Sequence, residues 1–240
     1  MGRAVIVGGA GIGNYKKIRQ ELAEDDYLIF CDGGLRHAEA LGVRPSLIIG
    51  DFDSHPMPEI AEAEDMEPSA EPAAYGQVIR HAHTADGTEV IILPHMKDWT
   101  DSVYAAKEAA ARGFDRLLLI GVSGGRPDHY FANISILNMP ELRGIEAWIM
   151  DDCSRMRLLA AGQSLLIDDN VQYFSLIAFD GPARGVTVNG ALYPLQDAEI
   201  TAEDPYAVSN EVLPGGRAEI SLREGKLLVV QIMPEGARAG

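Results

Sequence analysis

The sequence predicts an N-terminal α/β domain with a parallel sheet, at residues 1–150, followed by an all-β domain at residues 151–240. In the first part, short apolar runs alternate with stretches of helical periodicity, which is the pattern of βαβ units. In the second part, short strand-like runs follow one another between turns that contain Gly and Pro. The acidic, polar stretch 151–154 separates the two patterns, and such segments favour a domain boundary.

Composition and charge indicate an acidic globular protein. Apolar residues make up 47% of the 240 residues and charged residues 23%, which argues against a disordered or fibrous chain. The 20 Lys and Arg residues are outnumbered by 36 Asp and Glu residues, and a net charge of -16 repels a nucleic acid backbone. Neither a membrane span nor an export signal is visible, so we expect a cytoplasmic protein without nucleic acid or membrane partners.

Continuous apolar runs predict the strands of the first domain, and their character predicts parallel pairing with both faces buried. They lie at 3–7, 27–31, 47–49, 89–93, 116–120 and 146–150. Apolar residues at helical spacing predict helices at 100–112, which Gly113 ends, and at 128–137. Residues 55–88 are rich in Glu, Ala, Pro and His, and we expect an acidic surface connection there with a helix at 58–65.

The second domain shows several strand-like runs bounded by turn residues, which is the pattern of an all-β domain. These runs lie at 173–178, 185–188, 218–222 and 227–232.

Polar and charged residues follow four of the predicted parallel strands at the point where each strand ends. The carboxyl ends of parallel strands meet at one edge of a sheet, where α/β proteins bind their ligands. We therefore expect one crevice to be lined by Asp32, Gly33 and Gly34, by Asp51 and Asp53, by Lys97, Asp98 and Asp101, and by Gly124, Gly125, Arg126, Asp128 and His129.

Asp51 and Asp53 are predicted to bind a divalent cation. They stand two residues apart on an extended segment, so their side chains point to the same side, and Asp101 could complete the set. Mg²⁺ prefers a few carboxylates together with water and phosphate oxygens, which suits this sparse arrangement. An Asp-x-Asp-Ser segment can also cap a turn and a helix, but the acids on the neighbouring loops favour the metal site.

Gly124 and Gly125 precede a predicted helix and are expected to bind phosphate. Their backbone N–H groups can approach an anion at the helix N-terminus, and Arg126 adds a planar, charged donor. A tight turn is the alternative, since paired glycines are common in turns. Asp128 and His129 begin the helix, and Asp128 can act as its N-cap as well as face the crevice.

Two further patterns carry less weight. The glycine-rich segment 8–13 and the later Asp32 resemble a dinucleotide fingerprint, but Asn14 stands where the third glycine is needed, so an NAD enzyme is not favoured. Three histidines lack a Cys or an acid at metal-ligand spacing, and we assign them to the surface without a role. They are His81, His83 and His95.

Taken together, these segments resemble the thiamine pyrophosphokinase family along nearly the whole chain. The similar segments of the first half are Cys-Asp-Gly-Gly at 31–34, Gly-Asp-Phe-Asp-Ser at 50–54, Lys-Asp-x-Thr-Asp at 97–101 and Gly-Gly-Arg-x-Asp-His-x-x-x-Asn at 124–133. Segments 174–177, 185–187, 190–195 and 208–211 are similar to the family's thiamine-binding domain. Their order and spacing carry the resemblance, since no single segment would suffice.

The resemblance implies a Rossmann-like catalytic domain that binds ATP and Mg²⁺, a C-terminal β-sandwich that binds thiamine, and a homodimer with active sites between subunits. It implies that Asp51, Asp53 and Asp101 hold the metal, and that Ser209 and Asn210 contact thiamine. The residues that it places around the nucleotide and the reacting groups are Asp32, Gly33, Gly34, Lys97, Asp98, Gly124, Gly125, Arg126, Asp128 and His129.

The implied reaction transfers the terminal diphosphoryl group of ATP to the hydroxyl of thiamine and releases AMP. Lys97 and Arg126 are the expected catalytic cations, and Asp98 and Asp101 are both candidates for accepting the hydroxyl proton. One alternative is a pyrophosphokinase that acts on another heterocyclic alcohol, such as a hydroxymethyl pterin. The other is a non-catalytic thiamine or nucleotide sensor, which would not need the complete set of acids together with Arg126.

Overall fold

The computed structural model describes residues 2–65 and 79–234, and its chain divides into two compact units, Met1–Asp152 and Cys153–Gly240. The strands of the first unit are β1 (Arg3–Val7), β2 (Tyr27–Cys31), β3 (Leu47–Gly50), β4 (Ile60–Asp65), β5 (Arg80–Thr84), β6 (Glu89–Ile92), β7 (Arg116–Ile120) and β8 (Glu146–Met150). Within this unit they pair in the order β8-β7-β1-β2-β3-β6-β5-β4.

The six predicted strands of the first unit are all present and pair in parallel with one another. Their continuous apolar sequences have the burial that this arrangement requires, and Ile6, Ile29, Ile49 and Leu119 are fully buried. Because β1 and β3 lie on either side of β2, the loops that follow these strands open at the same edge of the sheet.

The prediction of a helix at 58–65 is wrong, because Ile60–Asp65 forms a strand. β4 pairs antiparallel with β5, which in turn pairs antiparallel with β6, so the sheet of this unit is mixed. Ala and Glu favour helices in isolation, but their alternation in this segment also has the period of two that suits an edge strand. The rest of the predicted acidic connection at 66–78 lies outside the described residues.

The helices of the first unit are α1 (Tyr15–Glu21), α2 (Ala38–Leu41), α3 (Asp101–Ala111) and α4 (Pro127–Ile136), with single 3₁₀ segments at Asp32–His37 and Pro140–Leu142. α3 confirms the helix predicted at 100–112. The Thr100 hydroxyl caps it by accepting a hydrogen bond from the Val103 N–H, and Gly113 follows its end with a φ of 82°. α4 confirms the second helix and begins at Pro127, where the missing N–H costs nothing.

The second unit contains only strands among residues 153–234, which the structure describes. They are β9 (Ser154–Ala160), β10 (Ser164–Asp168), β11 (Tyr173–Ala178), β12 (Ala183–Asn189), β13 (Leu195–Ile200), β14 (Arg217–Ser221) and β15 (Lys226–Ile232). β11, β15 and β9 pair antiparallel in that order, and so do β10, β14, β12 and β13. One hydrophobic cluster takes residues from both sets, including Phe174, Val186 and Val229.

The helices described in this chain do not reach the combined length and hydropathy of a membrane-spanning segment.

Candidate active site

A cavity of 660 Å³ lies in the first unit at the carboxyl ends of the parallel strands, where the sequence predicts a crevice. Its volume falls in the range of about 300–1,000 Å³ that small-molecule sites occupy. Most of the predicted site residues line it: Asp32, Gly33, Asp51, Asp53, Lys97, Asp98, Asp101, Gly124, Gly125, Arg126 and His129. Gly34 and Asp128 are the two residues predicted for this crevice that do not line the cavity.

Three carboxylates that are far apart in sequence meet in the deep part of this cavity beside a lysine. Asp32, Asp51 and Asp101 each offer an oxygen, and these oxygens lie within 4.8 Å of one another. Lys97 Nζ lies 2.6 Å from Asp51 Oδ2 and 2.7 Å from Asp101 Oδ1. We call these four residues the deep acid cluster.

Burial shapes the electrostatics of the deep acid cluster. The pKa of Asp101 is raised, chiefly by burial, although the neighbouring Lys97 acts to lower it. Burial also raises the pKa of Asp32, whose Oδ2 accepts a hydrogen bond from the Ser54 N–H at 3.0 Å while its buried Oδ1 has no hydrogen-bond partner among the described residues. For Lys97, burial acts to lower the pKa, but its bonds to Asp101 and Asp51 outweigh burial and raise it. Lys97 is therefore a charged ammonium at neutral pH.

A second group of ligand atoms lies toward solvent and includes a histidine that sequence reasoning missed. Asp51, Asp53 and His95 bring their ligand atoms within 4.8 Å of one another, and His95 Nδ1 lies 3.6 Å from Asp51 Oδ2. The Ser54 hydroxyl donates a hydrogen bond of 2.8 Å to Asp53, which lowers the pKa of Asp53. The three predicted metal ligands are thus divided between two groups that share Asp51. His95 is distant in sequence from Asp51 and Asp53, its partners in this group, so ligand-spacing patterns gave no signal for it.

The turn before α4 has a backbone conformation that favours glycine at two consecutive positions. Gly124 and Gly125 have φ values of 87° and 69°, in the left-handed region that favours glycine, and open space surrounds the position of an added Cβ at each. Arg126 forms two hydrogen bonds to Asp128, from Nε at 3.1 Å and from Nη2 at 2.5 Å. These bonds lower the pKa of Asp128 to about 2. Asp128 therefore holds the guanidinium next to the cavity.

The loop after β1 is fixed by a buried histidine. His37 Nε2 lies 2.9 Å from the Ala10 carbonyl oxygen, which can only accept, and burial lowers the pKa of His37. The ring is therefore neutral with its proton on Nε2, and Nδ1 accepts the hydrogen bond of 2.7 Å from the Tyr15 hydroxyl. Gly9 and Ala10 of this loop line the cavity.

The side chains that line the cavity without having been predicted include Arg36 and Trp99. The Trp99 ring carries Lys107 Nζ at 3.8 Å from its centroid, in the geometry of a cation–π contact. Trp99 stands inside the Lys-Asp-x-Thr-Asp segment, so the predicted site residues on either side of it could have indicated that it also lines the cavity.

The two residues predicted to contact thiamine lie in the second unit. Ser209 has a φ of 56°, and its N–H donates to the Ser175 hydroxyl at 3.0 Å. Asn210 is 7% exposed, and its side chain bonds to the backbone of Tyr193 and Glu211.

Comparison with known families assigns both units of the chain. The model of the thiamin pyrophosphokinase catalytic domain matches residues 18–149, and that of the thiamin pyrophosphokinase vitamin B1 binding domain matches residues 164–227. The chain belongs to the thiamin pyrophosphokinase family. The catalytic-domain match contains the whole deep acid cluster as well as Arg126, and the vitamin B1 binding match contains Ser209 and Asn210.

Individual members of the thiamin pyrophosphokinase family are similar over most of the chain. The thiamine pyrophosphokinase of Bacillus subtilis is 27% identical over 191 residues, which cover 79% of this chain and 79% of that protein. Its crystal structure is similar with a TM-score of 0.75 at 24% identity, over 96% of this chain and 99% of the other. The thiamin pyrophosphokinase of Candida albicans gives 0.71 at 12% identity, over 97% and 89%. These structures share the fold of a mixed α/β sheet with an antiparallel β domain.

Proposed function

We propose that this chain is a thiamine pyrophosphokinase that transfers the diphosphoryl group of ATP to the hydroxyl of thiamine, giving thiamine diphosphate and AMP. One observation carries the proposal: five aspartates, Lys97 and Arg126 line one cavity, and all seven residues lie within the part of the chain that matches the family's catalytic domain. A polyphosphate can bind in such an acidic cavity only if cations neutralise its charge. Lys97 and Arg126 are such cations, and the aspartates can bind a metal ion that adds further positive charge.

The side chains of the cavity fit Mg²⁺. Asp51, Asp53 and Asp101 supply carboxylate oxygens, the ligand type that Mg²⁺ prefers, and the buried Asp32 Oδ1 has no hydrogen-bond donor among the described residues. We add Asp32 and His95 to the proposed ligands, since each shares a group with Asp51. Bound Mg²⁺ would neutralise phosphate oxygens of ATP.

We assign the phosphates of ATP to the turn before α4. Gly124 and Gly125 line the cavity just before the N-terminus of α4, where backbone N–H groups can bind an anion, and the exposed guanidinium of Arg126 can bind two phosphate oxygens. His129 and Gly33 line the same cavity and complete the nucleotide site. Gly34 and Asp128 support the site from outside the cavity. Gly34 lets the chain pass close to β1, and Asp128 holds Arg126.

In the reaction, the thiamine hydroxyl oxygen attacks the β-phosphorus of ATP. The bond from this phosphorus to the oxygen that bridges it to the α-phosphorus breaks, and AMP leaves with that oxygen. Arg126 and Lys97 stabilise the charge that develops on the phosphate oxygens, which is usually the largest contribution to such catalysis. The hydroxyl proton passes to a carboxylate, and Asp98 and Asp101 both line the cavity.

We assign thiamine binding to the second unit, with residues 1–150 as a Rossmann-like catalytic domain and residues 151–240 as a β-sandwich. The two sets of antiparallel strands with one core support a sandwich, and the match to the vitamin B1 binding domain supports its role. Ser209 and Asn210 are the proposed contacts. The protein's net charge of -16 favours a cationic substrate such as thiamine.

We also propose a cytoplasmic homodimer with active sites between subunits. ATP is a cytoplasmic substrate, and exposed apolar side chains of the second unit, such as Leu192, Tyr193 and Leu213, suit an interface. Co-refolding equal amounts of Asp101→Asn and Asn210→Ala would restore about a quarter of wild-type activity, because one site of each heterodimer is intact. Verified heterodimers without activity above the separate variants would show that each subunit is self-sufficient.

Acceptor choice tests the proposed function. The protein is incubated with ATP and Mg²⁺ together with thiamine, with a hydroxymethyl pterin, or with neither, and AMP is measured by chromatography. We expect AMP only with thiamine, in equal amount to thiamine diphosphate. AMP formation with the pterin alone would support the other acceptor class, and the absence of turnover in every reaction would support a sensor.

A further inference from the structure

Lys97 occupies the position of a cation in the deep acid cluster. Its ammonium contacts Asp51 Oδ2 at 2.6 Å and Asp101 Oδ1 at 2.7 Å, and the third carboxylate of the cluster is the buried Asp32. The Lys97 side chain is only 18% exposed, so water does little to weaken these two contacts. The ammonium therefore already neutralises the oxygens to which a deep metal ion would bind.

A divalent cation and this ammonium cannot contact the same two oxygens at once. Mg²⁺ binds carboxylate oxygens at about 2.0–2.1 Å, so an ion shared by Asp51 and Asp101 would lie in the space that Lys97 Nζ fills. Their charges of the same sign would also repel strongly at such a short distance in a partly buried site. Metal binding to the deep acid cluster therefore requires the ammonium to leave.

The Lys97 ammonium can move out of the deep acid cluster, and the same cavity contains a second position that it can occupy. It lies on the connection between β6 and α3, and its four-carbon stem carries the ammonium on rotatable bonds. The same cavity contains the turn at Gly124 and Gly125, where the proposed function places phosphate. A phosphate oxygen can take the place of the carboxylates as the partner of the ammonium.

We propose that Lys97 is the resident cation of the nucleotide-free protein and that it moves to a nucleotide phosphate when a divalent cation takes its place between Asp51 and Asp101. The destination of the ammonium rests on the proposed function, but its competition with the metal does not. Metal alone then binds the deep acid cluster weakly, and metal and nucleotide enter together. The outer group of Asp51, Asp53 and His95 shares only Asp51 with the contacts of Lys97.

The test measures Mn²⁺ binding by titration calorimetry in the absence of nucleotide and thiamine. Lys97→Met removes the ammonium and keeps the apolar stem, and we expect it to bind Mn²⁺ at least about tenfold more tightly than the wild type. Lys16→Met is the matched control, because Lys16 is an exposed residue of α1 and its loss changes the net charge equally. We expect the control to bind Mn²⁺ like the wild type. Equal or weaker binding by Lys97→Met would overturn the proposal.

A double variant locates the additional binding. In Lys97→Met with Asp101→Asn the tighter binding should be lost, and its persistence would place the metal elsewhere and overturn the proposal. If Lys97→Met folds poorly, Lys97→Gln replaces it, and metal binding is followed by the effect of Mn²⁺ on the melting temperature. Mn²⁺ should raise the melting temperature of Lys97→Gln more than that of the wild type, and an equal rise would contradict the proposal. Wild-type turnover with thiamine, measured separately, decides the proposed function whatever these titrations give.

Discussion

The side chain of Asn210 is hydrogen-bonded to both polar groups of the Tyr193 backbone. Its Oδ1 accepts from the Tyr193 N–H at 3.0 Å, and its Nδ2 donates to the Tyr193 carbonyl oxygen at 2.8 Å. Oδ1 also accepts from the Glu211 N–H at 2.9 Å. Asn210 therefore shapes the segment around Tyr193, and any effect of this residue on thiamine binding includes that structural role.

Asn210→Ala is expected to lower the free energy of unfolding by about 3 kcal/mol, because two backbone N–H groups and a carbonyl lose their buried partner. Ser209→Ala is the matched variant. The bond of its backbone N–H to Ser175 survives, so we expect a change within about 0.5 kcal/mol. Urea unfolding of both variants checks this, and equal stability of the two would contradict the structural role of Asn210.

Gly33 and Gly34 are neighbours in sequence, but only Gly34 has no room for a side chain. A Cβ at Gly34 would lie 2.1 Å from the Val7 carbonyl oxygen, whereas the nearest atom to a Cβ at Gly33 is 3.6 Å away. Gly34→Ala should therefore destabilise the protein by about 2 kcal/mol or more, since the backbone of β1 must move. Gly33→Ala should fold with nearly wild-type stability and instead raise the KM for ATP, because Gly33 lines the cavity. Thermal melting and steady-state kinetics separate the two, and a stable Gly34→Ala would contradict the close packing.

His37 predicts a dependence of stability on pH. Burial lowers its pKa from the ordinary value of 6.5, so the unfolded chain binds the proton more readily than the folded protein. The contribution of His37 is complete above pH 6.5 and is lost as the pH falls toward the lowered pKa of the folded state. The free energy of unfolding of the wild type should fall more steeply below about pH 6.5 than that of His37→Gln, which cannot titrate there. The free energy of unfolding is measured against pH by urea unfolding of both proteins. Parallel profiles for the wild type and His37→Gln would exclude His37 as the source of the pH dependence.

Asp53 and Asp101 belong to different groups of ligand atoms, and each is expected to be essential. Asp53→Asn and Asp101→Asn should each lower turnover by roughly a hundredfold or more at saturating Mg²⁺, because each weakens the charge stabilisation of the transferred phosphates. Circular dichroism is the control for folding. Near-normal turnover in a folded variant would remove that residue from the proposed site.

Much of the fold followed from local patterns. The parallel strands were predictable because a strand buried on both faces is continuously apolar, as in Arg116–Ile120. The edge strand Ile60–Asp65 could not be predicted from its sequence, because its Ala and Glu residues favour a helix. Only pairing with Arg80–Thr84 makes this segment a strand.

The sequence predicts which residues belong to the candidate site, but not the contacts that they make with one another. The sheet places each loop at the same edge, so the lining of the cavity by Asp51 and Asp101 could be expected. Three-dimensional packing alone brings His95 to Asp51 and the Lys97 ammonium between two carboxylates. The same holds for Asn210, whose bonds to Tyr193 depend on how two loops of the β unit meet.

The proposed reaction transfers an intact diphosphoryl group, and the fate of a label at the β-phosphorus of ATP distinguishes it from other phosphoryl transfers. The protein is incubated with labelled ATP, Mg²⁺ and thiamine, and the products are separated by chromatography. We predict that the label appears in thiamine diphosphate, at the phosphorus bonded to the thiamine oxygen, and that AMP carries none. Label recovered in ADP together with thiamine monophosphate would show transfer of a single phosphoryl group and would contradict the proposed diphosphoryl transfer.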